Sequence, residues 1–277
     1  MKNIIKTFAL LLLFNACDEP ITIDSDSVEP VVIIEGLVTD QMTSHYVRVS
    51  RSVDFYDDVA VEPILDAQVS IRDDQGNLYS FDHNPGNNAE QRGYYYSDIE
   101  FAGQVGTTYS LTVTIGEEVY RASDRLQPIM EIDSLTVSLD EDEFDDPEDP
   151  GYYYEVLFFA REPQGRKDFY LFKFYRNDSI LRDDEDDIYF SDDDLLAEEI
   201  NGIPTAGYYS LGDQARVEMY SMSRQGFIYY NDLVNLLQGD GGMFGAPPVN
   251  PRTNLDNDAL GFFQVSAVVS EEIAIEF

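Results

Sequence analysis

The 277-residue sequence contains one cysteine and no tryptophan. A single thiol excludes a disulfide within the chain, so the fold has to be stabilised by burial of apolar side chains. The roughly 260 residues that follow the cysteine can bury about 70% of their surface, in one large or two modest domains. Ring contacts to a partner would have to come from the 19 tyrosines and 17 phenylalanines.

Basic residues are scarce: 17 lysines and arginines stand against 54 acidic residues, which gives a net charge of −37. A body this negative does not bind nucleic acid through its phosphates, and it is repelled by an anionic membrane surface. The same charge keeps a protein soluble and favours cationic partners or divalent metals.

Histidine is nearly absent, with only His45 and His83 in the chain. There is no Gly-x-Ser-x-Gly motif, and the nearest string, at residues 207–212, has the wrong spacing for a nucleophile elbow. Two separated histidines do not make a usual zinc site. We therefore expect a protein that is not an enzyme, with a hydrolase as a remote alternative, because 54 acids always supply pairs of carboxylates.

Two acidic runs, at residues 140–149 and 183–194, make calcium the one ion that the sequence gives a reason to consider. Neither run matches the Asp-x-Asp-x-Asp-Gly pattern of a calcium-binding loop. Runs of this kind are usually solvated. We expect no cofactor and no metal site.

The sequence has no long apolar run. Residues 7–14 are apolar, which is far fewer than the ~20 residues of a transmembrane helix. Lys2 and Lys6 precede this run, and Ala16 and Cys17 follow it, in the layout of a bacterial export signal. The pattern predicts a lipoprotein signal peptide over residues 1–17, with lipid attached to Cys17. Ordinary cleavage beside an incidental cysteine is the alternative.

The rest of the chain has the pattern of an all-β protein. Residues 18–29 are polar and predict a flexible tether. Residues 30–127 contain about seven short strands with evenly spaced turns, including a hairpin at Gly116 and Glu117, which favours an immunoglobulin-like β-sandwich. Residues 128–277 predict a second β-rich domain with one inserted helix near 225–238, where apolar residues recur at helical spacing.

One loop of the second domain, residues 239–251, is rich in glycine and proline but is also apolar. Such a loop either packs into the body or contacts a partner. Its candidate contact residues are Met243, Phe244, Pro247 and Pro248.

Several motifs occur in a recognisable order. Cys17-Asp18-Glu19-Pro20 leads into Val31-Val32-Ile33-Ile34-Glu35-Gly36, with Val38-Thr39-Asp40 following. Far downstream, Asn250-Pro251-Arg252-Thr253-Asn254-Leu255 is followed by Leu260-Gly261-Phe262-Phe263. In these features the chain resembles a Bacteroidota outer-membrane lipoprotein family that carries the domain of unknown function numbered 4249. The resemblance covers essentially all residues after the signal peptide.

This resemblance implies an outer-membrane protein displayed at the cell surface, in an accessory role beside a TonB-dependent barrel, and it assigns no catalytic residue. It also implies a surface-export signal at Asp18 and Glu19, although an ordinary polar tether explains these acids as well. A further implied trait is O-glycosylation within Asp-Ser/Thr-apolar triplets, which would fall on Ser27, Ser134 and Ser179.

Two functions of different classes remain. The first is a non-enzymatic, surface-exposed accessory lipoprotein that is anchored in the outer membrane by its lipid and contacts an outer-membrane β-barrel. The alternative is a module that captures a glycan or peptide and passes it to a transporter. The predicted strands at 152–160 and 169–175 carry aromatic side chains on both faces. We expect one face to lie in the core and the other to contact a partner, since tyrosine is enriched at interfaces, and both functions can use that second face.

Overall fold

The computed structural model describes residues 30–53, 61–145, 150–161, 165–182, 184, 187–192, 199–238 and 249–276. Strands make up 52% of the structure and helices 10%, so the predicted all-β, sandwich-like fold is confirmed. Within these ranges no helix is both long and apolar enough to cross a bilayer.

Eight strands and a short 3-10 turn at Ala89–Gln91 form the first half. The strands are β1 (Val32–Thr39), β2 (Tyr46–Arg51), β3 (Glu62–Pro63), β4 (Gln68–Asp73), β5 (Leu78–His83), β6 (Tyr94–Ser97), β7 (Thr108–Ile115) and β8 (Glu118–Arg125).

Nine strands and two α-helices follow. They are β9 (Ile132–Leu139), α1 (Glu141–Asp145), β10 (Tyr154–Arg161), β11 (Phe169–Arg176), β12 (Ser179–Leu181), β13 (Tyr189–Asp192), β14 (Glu199–Pro204), β15 (Gln214–Ser221), α2 (Arg224–Leu237), β16 (Leu260–Ser266) and β17 (Val268–Ala274).

The first sheet has the strand order β16-β1-β2-β6-β5-β4-β7-β8, with β3 paired to β2. Alternation along β1 buries Val32, Ile34 and Val38 in the first core and turns the residues between them outward. The sheet curls around this core, because its two end strands meet where Val265 of β16 donates its N–H to Asp124 of β8. The predicted hairpin at Gly116 is confirmed, since Ile115 and Glu118 pair across it.

The second half packs a three-stranded sheet, β14-β10-β9, against a five-stranded sheet, β12-β11-β15-β17, with β13 paired to β11. Phe158 from the smaller sheet and Phe172, Phe174 and Met219 from the larger one lie in the shared core. The strand β11 is aromatic on both faces, as the sequence predicts, and its other face carries Phe169 and the residues that alternate with it.

The chain crosses between the halves near its end. Strand β16 runs parallel to β1 in the first sheet, and after Ala267 the strand β17 pairs with β15 in the second half. Gly261 makes the parallel pairing possible, because its φ is +94° and any side chain there would collide with the carbonyl oxygen of Ile34. The boundary near residue 127 stays a prediction, while the placement of β16 shows that the two halves share their last strands.

Candidate functional site

The helix α2 joins the two halves of the molecule. Its N-terminus is capped by Ser223, whose side chain accepts the N–H of Gly226 at 3.2 Å. The ring of Phe227 lies 5.0 Å from that of Phe169 in the second half. The adjacent Tyr230 donates its hydroxyl to Gln264 of β16 at 2.8 Å. The helix predicted near 225–238 is therefore confirmed, and it rests on the outer faces of both halves.

A cleft of about 160 Å³ opens where α2, β1, β2, β11, β15 and β16 converge. The side chains that matter for its chemistry are Glu35, Tyr46, Lys173, Tyr220, Tyr229 and Phe262. They come from five strands and one helix, and outward-facing positions of both halves contribute to it. We call this site the tyrosine cleft.

Lys173 supplies a positive charge to the cleft. Its Nζ lies 4.4 Å from the ring centroid of Tyr220, a cation–π contact. Burial lowers the pKa of Lys173, and the nearby Glu218 carboxylate partly opposes this shift. Among the described residues no hydrogen-bond or ion-pair partner is found for the Lys173 ammonium group.

The neighbouring Glu218 is already occupied. Its carboxylate accepts the hydroxyl of Tyr220 at 2.7 Å and that of Tyr175 at 3.2 Å. The guanidinium of Arg216 lies 3.5 Å from the other carboxylate oxygen and 4.2 Å from the ring centroid of Tyr175. Burial, followed by the charge of Glu218, raises the pKa of Tyr175 to about 12. Glu218 thus accepts two phenol hydroxyls and lies beside Arg216, a cation that it shares with Asp178 at 3.6 Å and Glu272 at 3.9 Å.

A row of tyrosines extends from the cleft over the outer face of the first sheet. The ring of Tyr46 lies 5.7 Å from Tyr94 and 6.5 Å from Tyr96, and the rings of Tyr94 and Tyr96 are stacked 6.3 Å apart. All three are partly exposed. Arg48 lies over Tyr94 and pairs with Glu35 at 3.2 Å. We call these three tyrosines the tyrosine ladder.

Two phenols of the cleft have no hydrogen-bond partner within the described part of the chain: Tyr46 and Tyr229. Burial raises the pKa of Tyr229 to about 12 and raises that of Tyr46 as well, so both hydroxyls stay protonated at neutral pH. The ring of Tyr229 is stacked 5.0 Å from Phe262, which holds it in place. Each hydroxyl can donate and accept a hydrogen bond to a bound molecule.

The two histidines have structural roles. His45 is buried, its Nδ1 accepts the N–H of Thr39 at 3.4 Å, and its Nε2 donates to the carbonyl of Phe101 at 2.8 Å. Burial lowers the pKa of His45 and keeps the ring neutral. His83 accepts the N–H of Gly93 at 3.1 Å through Nε2. Both rings therefore hold loops to strands.

The serine in the string 207–212 is also bonded locally, since the hydroxyl of Ser210 donates to the carbonyl of Gly151 at 2.5 Å. Across the described ranges, no three histidine, cysteine or acidic side chains come together in a way that could hold a metal ion. Parts of both acidic runs lie outside those ranges, so the expectation of no cofactor and the question of calcium stay predictions.

Most of the site residues predicted from the sequence cannot be placed. Those outside the described residues are Cys17, Asp18, Glu19, Ser27, Met243, Phe244, Pro247 and Pro248. Ser134 on β9 and Ser179 on β12 are exposed, which leaves both accessible to a modifying enzyme. Their glycosylation stays a prediction.

The motif at 250–255 builds the junction of the chain. The side chain of Asn254 accepts the N–H of Phe263 at 3.0 Å and donates to the carbonyls of Phe263 and Ser123 at 2.8 and 3.2 Å. Arg252 binds Asp232 of α2 through two bonds of 2.7 and 2.8 Å. These residues hold β16 and α2 in place. The motif therefore has a structural role, and its contacts give no reason to assign it a catalytic one.

Sequence reasoning missed the tyrosine cleft. Its walls combine β1 and β2 with segments more than 100 residues later in the chain, and no local motif marks their meeting. One signal was present: Lys173 interrupts the aromatic run from Phe169 to Tyr175 in β11, where an apolar residue would be expected.

A family model described as Domain of unknown function (DUF4249) matches residues 18–272 of the chain. No curated protein matches it.

Proposed function

This chain belongs to the family described as Domain of unknown function (DUF4249), and we propose that it is a non-enzymatic, surface-exposed outer-membrane lipoprotein. In this proposal it serves as an accessory binding subunit of a TonB-dependent or other outer-membrane β-barrel. The observation that carries the binding role is the tyrosine cleft with its ladder. The two histidines and the motif at residues 250–255, by contrast, make contacts that stabilise the fold.

The surface chemistry supports binding because tyrosine rings offer large, rigid contact area together with a polar hydroxyl. The ladder is partly exposed and lies on the outer face of a paired sheet, so its rings are held in register by the strands beneath. The cleft adds a cation and two hydroxyls that have no hydrogen-bond partner among the described residues. Such a combination suits recognition of a partner or ligand.

The proposed lipid anchor on Cys17 supports a location at the membrane. Lipid on Cys17 would hold the chain at the membrane, since each buried methylene contributes about 0.8 kcal/mol. The charge of −37 opposes any further attraction to an anionic surface. Confinement to the membrane plane raises the effective concentration of the chain near a barrel.

Co-purification tests this proposal. The full-length protein is extracted with a gentle detergent, captured through a tag, and the recovered proteins are identified by mass spectrometry. We expect one outer-membrane barrel at a near-constant ratio to the bait. Recovery of the protein alone, at detergent concentrations that preserve other barrel complexes, would contradict the accessory role.

Surface display has its own test. Protease added to intact cells should remove the protein, while a periplasmic control protein survives. Resistance of the chain in intact cells, with digestion after lysis, would place it on the periplasmic side.

The second candidate, a module that captures a ligand for a transporter, is favoured by the tyrosine cleft itself. A concave site with a few convergent polar groups is the usual form of a ligand site. The two candidates are compatible, because a barrel partner could receive what the cleft holds.

A further inference from the structure

We infer that the tyrosine cleft binds an acidic sugar residue, a hexuronate, with its carboxylate on Lys173 and its ring against the tyrosines. This inference rests on the proposed binding role and gives it a ligand class. It follows from three properties of the cleft: an unmatched cation, acids that are already matched, and ring faces with unpartnered hydroxyls.

The unmatched cation is Lys173. A partly buried ammonium group that lacks an acceptor loses hydration without gaining a hydrogen bond, which is unfavourable until an acceptor arrives. The ring of Tyr220 stabilises the charge from one side, at 4.4 Å, but a π face does not replace an oxygen acceptor. A carboxylate in the cleft would provide that acceptor through a charge-assisted hydrogen bond.

The acids near the cleft do not cancel this preference. Glu218 accepts two phenol hydroxyls and lies against Arg216. Glu35 is paired with Arg48 at 3.2 Å. An incoming carboxylate therefore meets, at Lys173, a positive charge for which the described residues supply no ion-pair partner. A polyanion would be opposed by the net charge of −37, so a single carboxylate per binding event is favoured.

The ring faces point to a sugar. Tyr229, stacked on Phe262, and Tyr46 present rings whose hydroxyls have no partner in the described part of the chain. A sugar offers both an apolar ring face and hydroxyls that pair with such groups. A cleft of about 160 Å³ has room for one ring rather than for a drug-sized ligand. The tyrosine ladder continues outward, where further sugar rings of a chain could stack.

A peptide is less suited to the cleft. Peptides commonly bind by adding a strand to a free sheet edge. Here β1 is paired on both sides, by β2 and β16, and β11 lies between β15 and the strands β12 and β13. At β1 and β11 the floor of the cleft thus has no free row of backbone donors and acceptors.

The test is a titration of the full-length protein in detergent with galacturonate and with galactose, which differ by a carboxylate in place of a hydroxymethyl group. Calorimetry gives the Kd, and tyrosine fluorescence, which no tryptophan masks, gives a second signal from the 19 tyrosines together. We expect galacturonate to bind at least about tenfold more tightly than galactose, as one charge-assisted hydrogen bond implies.

Variants locate the site. Lys173→Met keeps the length of the side chain but removes the charge, and it should lower galacturonate affinity to that of galactose. Lys167→Met, on the same side of the second half but outside the cleft, is the matched control and should bind as the wild type does. Tyr229→Phe removes only an unpartnered hydroxyl, so it should fold normally and weaken both sugars.

Three outcomes overturn the inference: no binding of galacturonate, equal affinity for both sugars, or an unchanged Kd in Lys173→Met. Binding of a tripeptide through its free carboxylate, lost in Lys173→Met while galacturonate does not bind, would also overturn it in favour of a peptide.

Barrel co-purification is scored separately on the same variants. A barrel that stays with Lys173→Met while sugar binding is lost leaves the accessory role intact, and sugar binding without any barrel contradicts only that role.

Discussion

The Asp124 carboxylate on β8 accepts the backbone N–H of Val265 on β16 at 3.0 Å. It also accepts the N–H of Arg125 at 2.9 Å and a hydrogen bond from Ser223, the residue that caps α2. One buried acid therefore ties the two end strands of the first sheet to the helix that borders the tyrosine cleft. Burial raises the pKa of Asp124 to about 6 despite these bonds.

The raised pKa predicts a pH dependence of stability. Between pH 4 and pH 6 the folded protein holds a proton on Asp124 that the unfolded chain, with an ordinary aspartate pKa near 4, has lost. The contribution of Asp124 to stability is therefore largest below pH 4 and is lost as the pH rises through about 6. A shift of this size corresponds to about 3 kcal/mol.

Urea unfolding of the wild type and of Asp124→Asn, each at several pH values from 4 to 8, measures this contribution. The many surface acids change the stability of both proteins with pH, but they change it alike. We expect the wild type to lose more stability than Asp124→Asn as the pH rises through 6. Parallel curves for the two proteins would show that Asp124 titrates normally.

A second prediction concerns Gly261, where β16 runs against β1. Its φ is +94°, and a β-carbon would collide with the carbonyl oxygen of Ile34. Gly76 has almost the same φ, +96°, but a β-carbon there would meet nothing within 4 Å. Alanine substitutions at Gly261 and Gly76 therefore separate the free-energy cost of a left-handed backbone from the cost of a steric collision.

We expect Gly76→Ala to cost about 1–2 kcal/mol, the usual penalty for a left-handed backbone with a side chain. Gly261→Ala should cost about 2 kcal/mol more, because the parallel pair of β1 and β16 has to separate. Chemical unfolding of both variants checks this difference. Equal losses would mean that β16 can shift away from Ile34 at little cost.

The fold was predictable to the extent that it depends on local patterns. Alternation in β1 and β7, the turn at Gly116 and the helical spacing from Phe227 to Leu237 all identify their elements without tertiary information. The pairing of β16 with β1 was not predictable, because it joins residues such as Ile33 and Leu260 that no local rule connects. The tyrosine cleft depends on that same pairing, and so it was missed together with it.

The amino-acid composition nevertheless predicted a part of the site. Tyrosine is abundant, and the aromatic strand β11 was expected to use one face for the core and the other for contact. The structure places Phe172 and Phe174 in the core and Lys173 in the cleft, as alternation requires. The opposite wall of the cleft could not be predicted from the sequence, because Tyr46 and Tyr229 come close to Lys173 only when both halves have folded.

The last prediction concerns Cys17, on which the membrane attachment depends in our proposal. Replacing it with serine removes the thiol that would carry lipid, and the charge of −37 gives the body no other attraction to the bilayer. Cys17→Ser should therefore appear in the soluble fraction with the urea midpoint of the wild type, because the substitution lies far before β1 in the sequence.

Comparing the soluble and membrane fractions of Cys17→Ser also distinguishes attachment through the lipid from attachment through a protein partner. If Cys17→Ser is soluble and no longer co-purifies with a barrel, the lipid supplies the local concentration that the complex needs. If the variant is soluble but still recovers the barrel from detergent extracts, the protein interface is strong enough without confinement. Retention of Cys17→Ser in washed membranes from cells that lack the barrel, with N-terminal sequencing showing that residues 1–16 have been removed, would show that Cys17 is not the anchor, since neither the signal segment, the lipid nor the partner could then account for it.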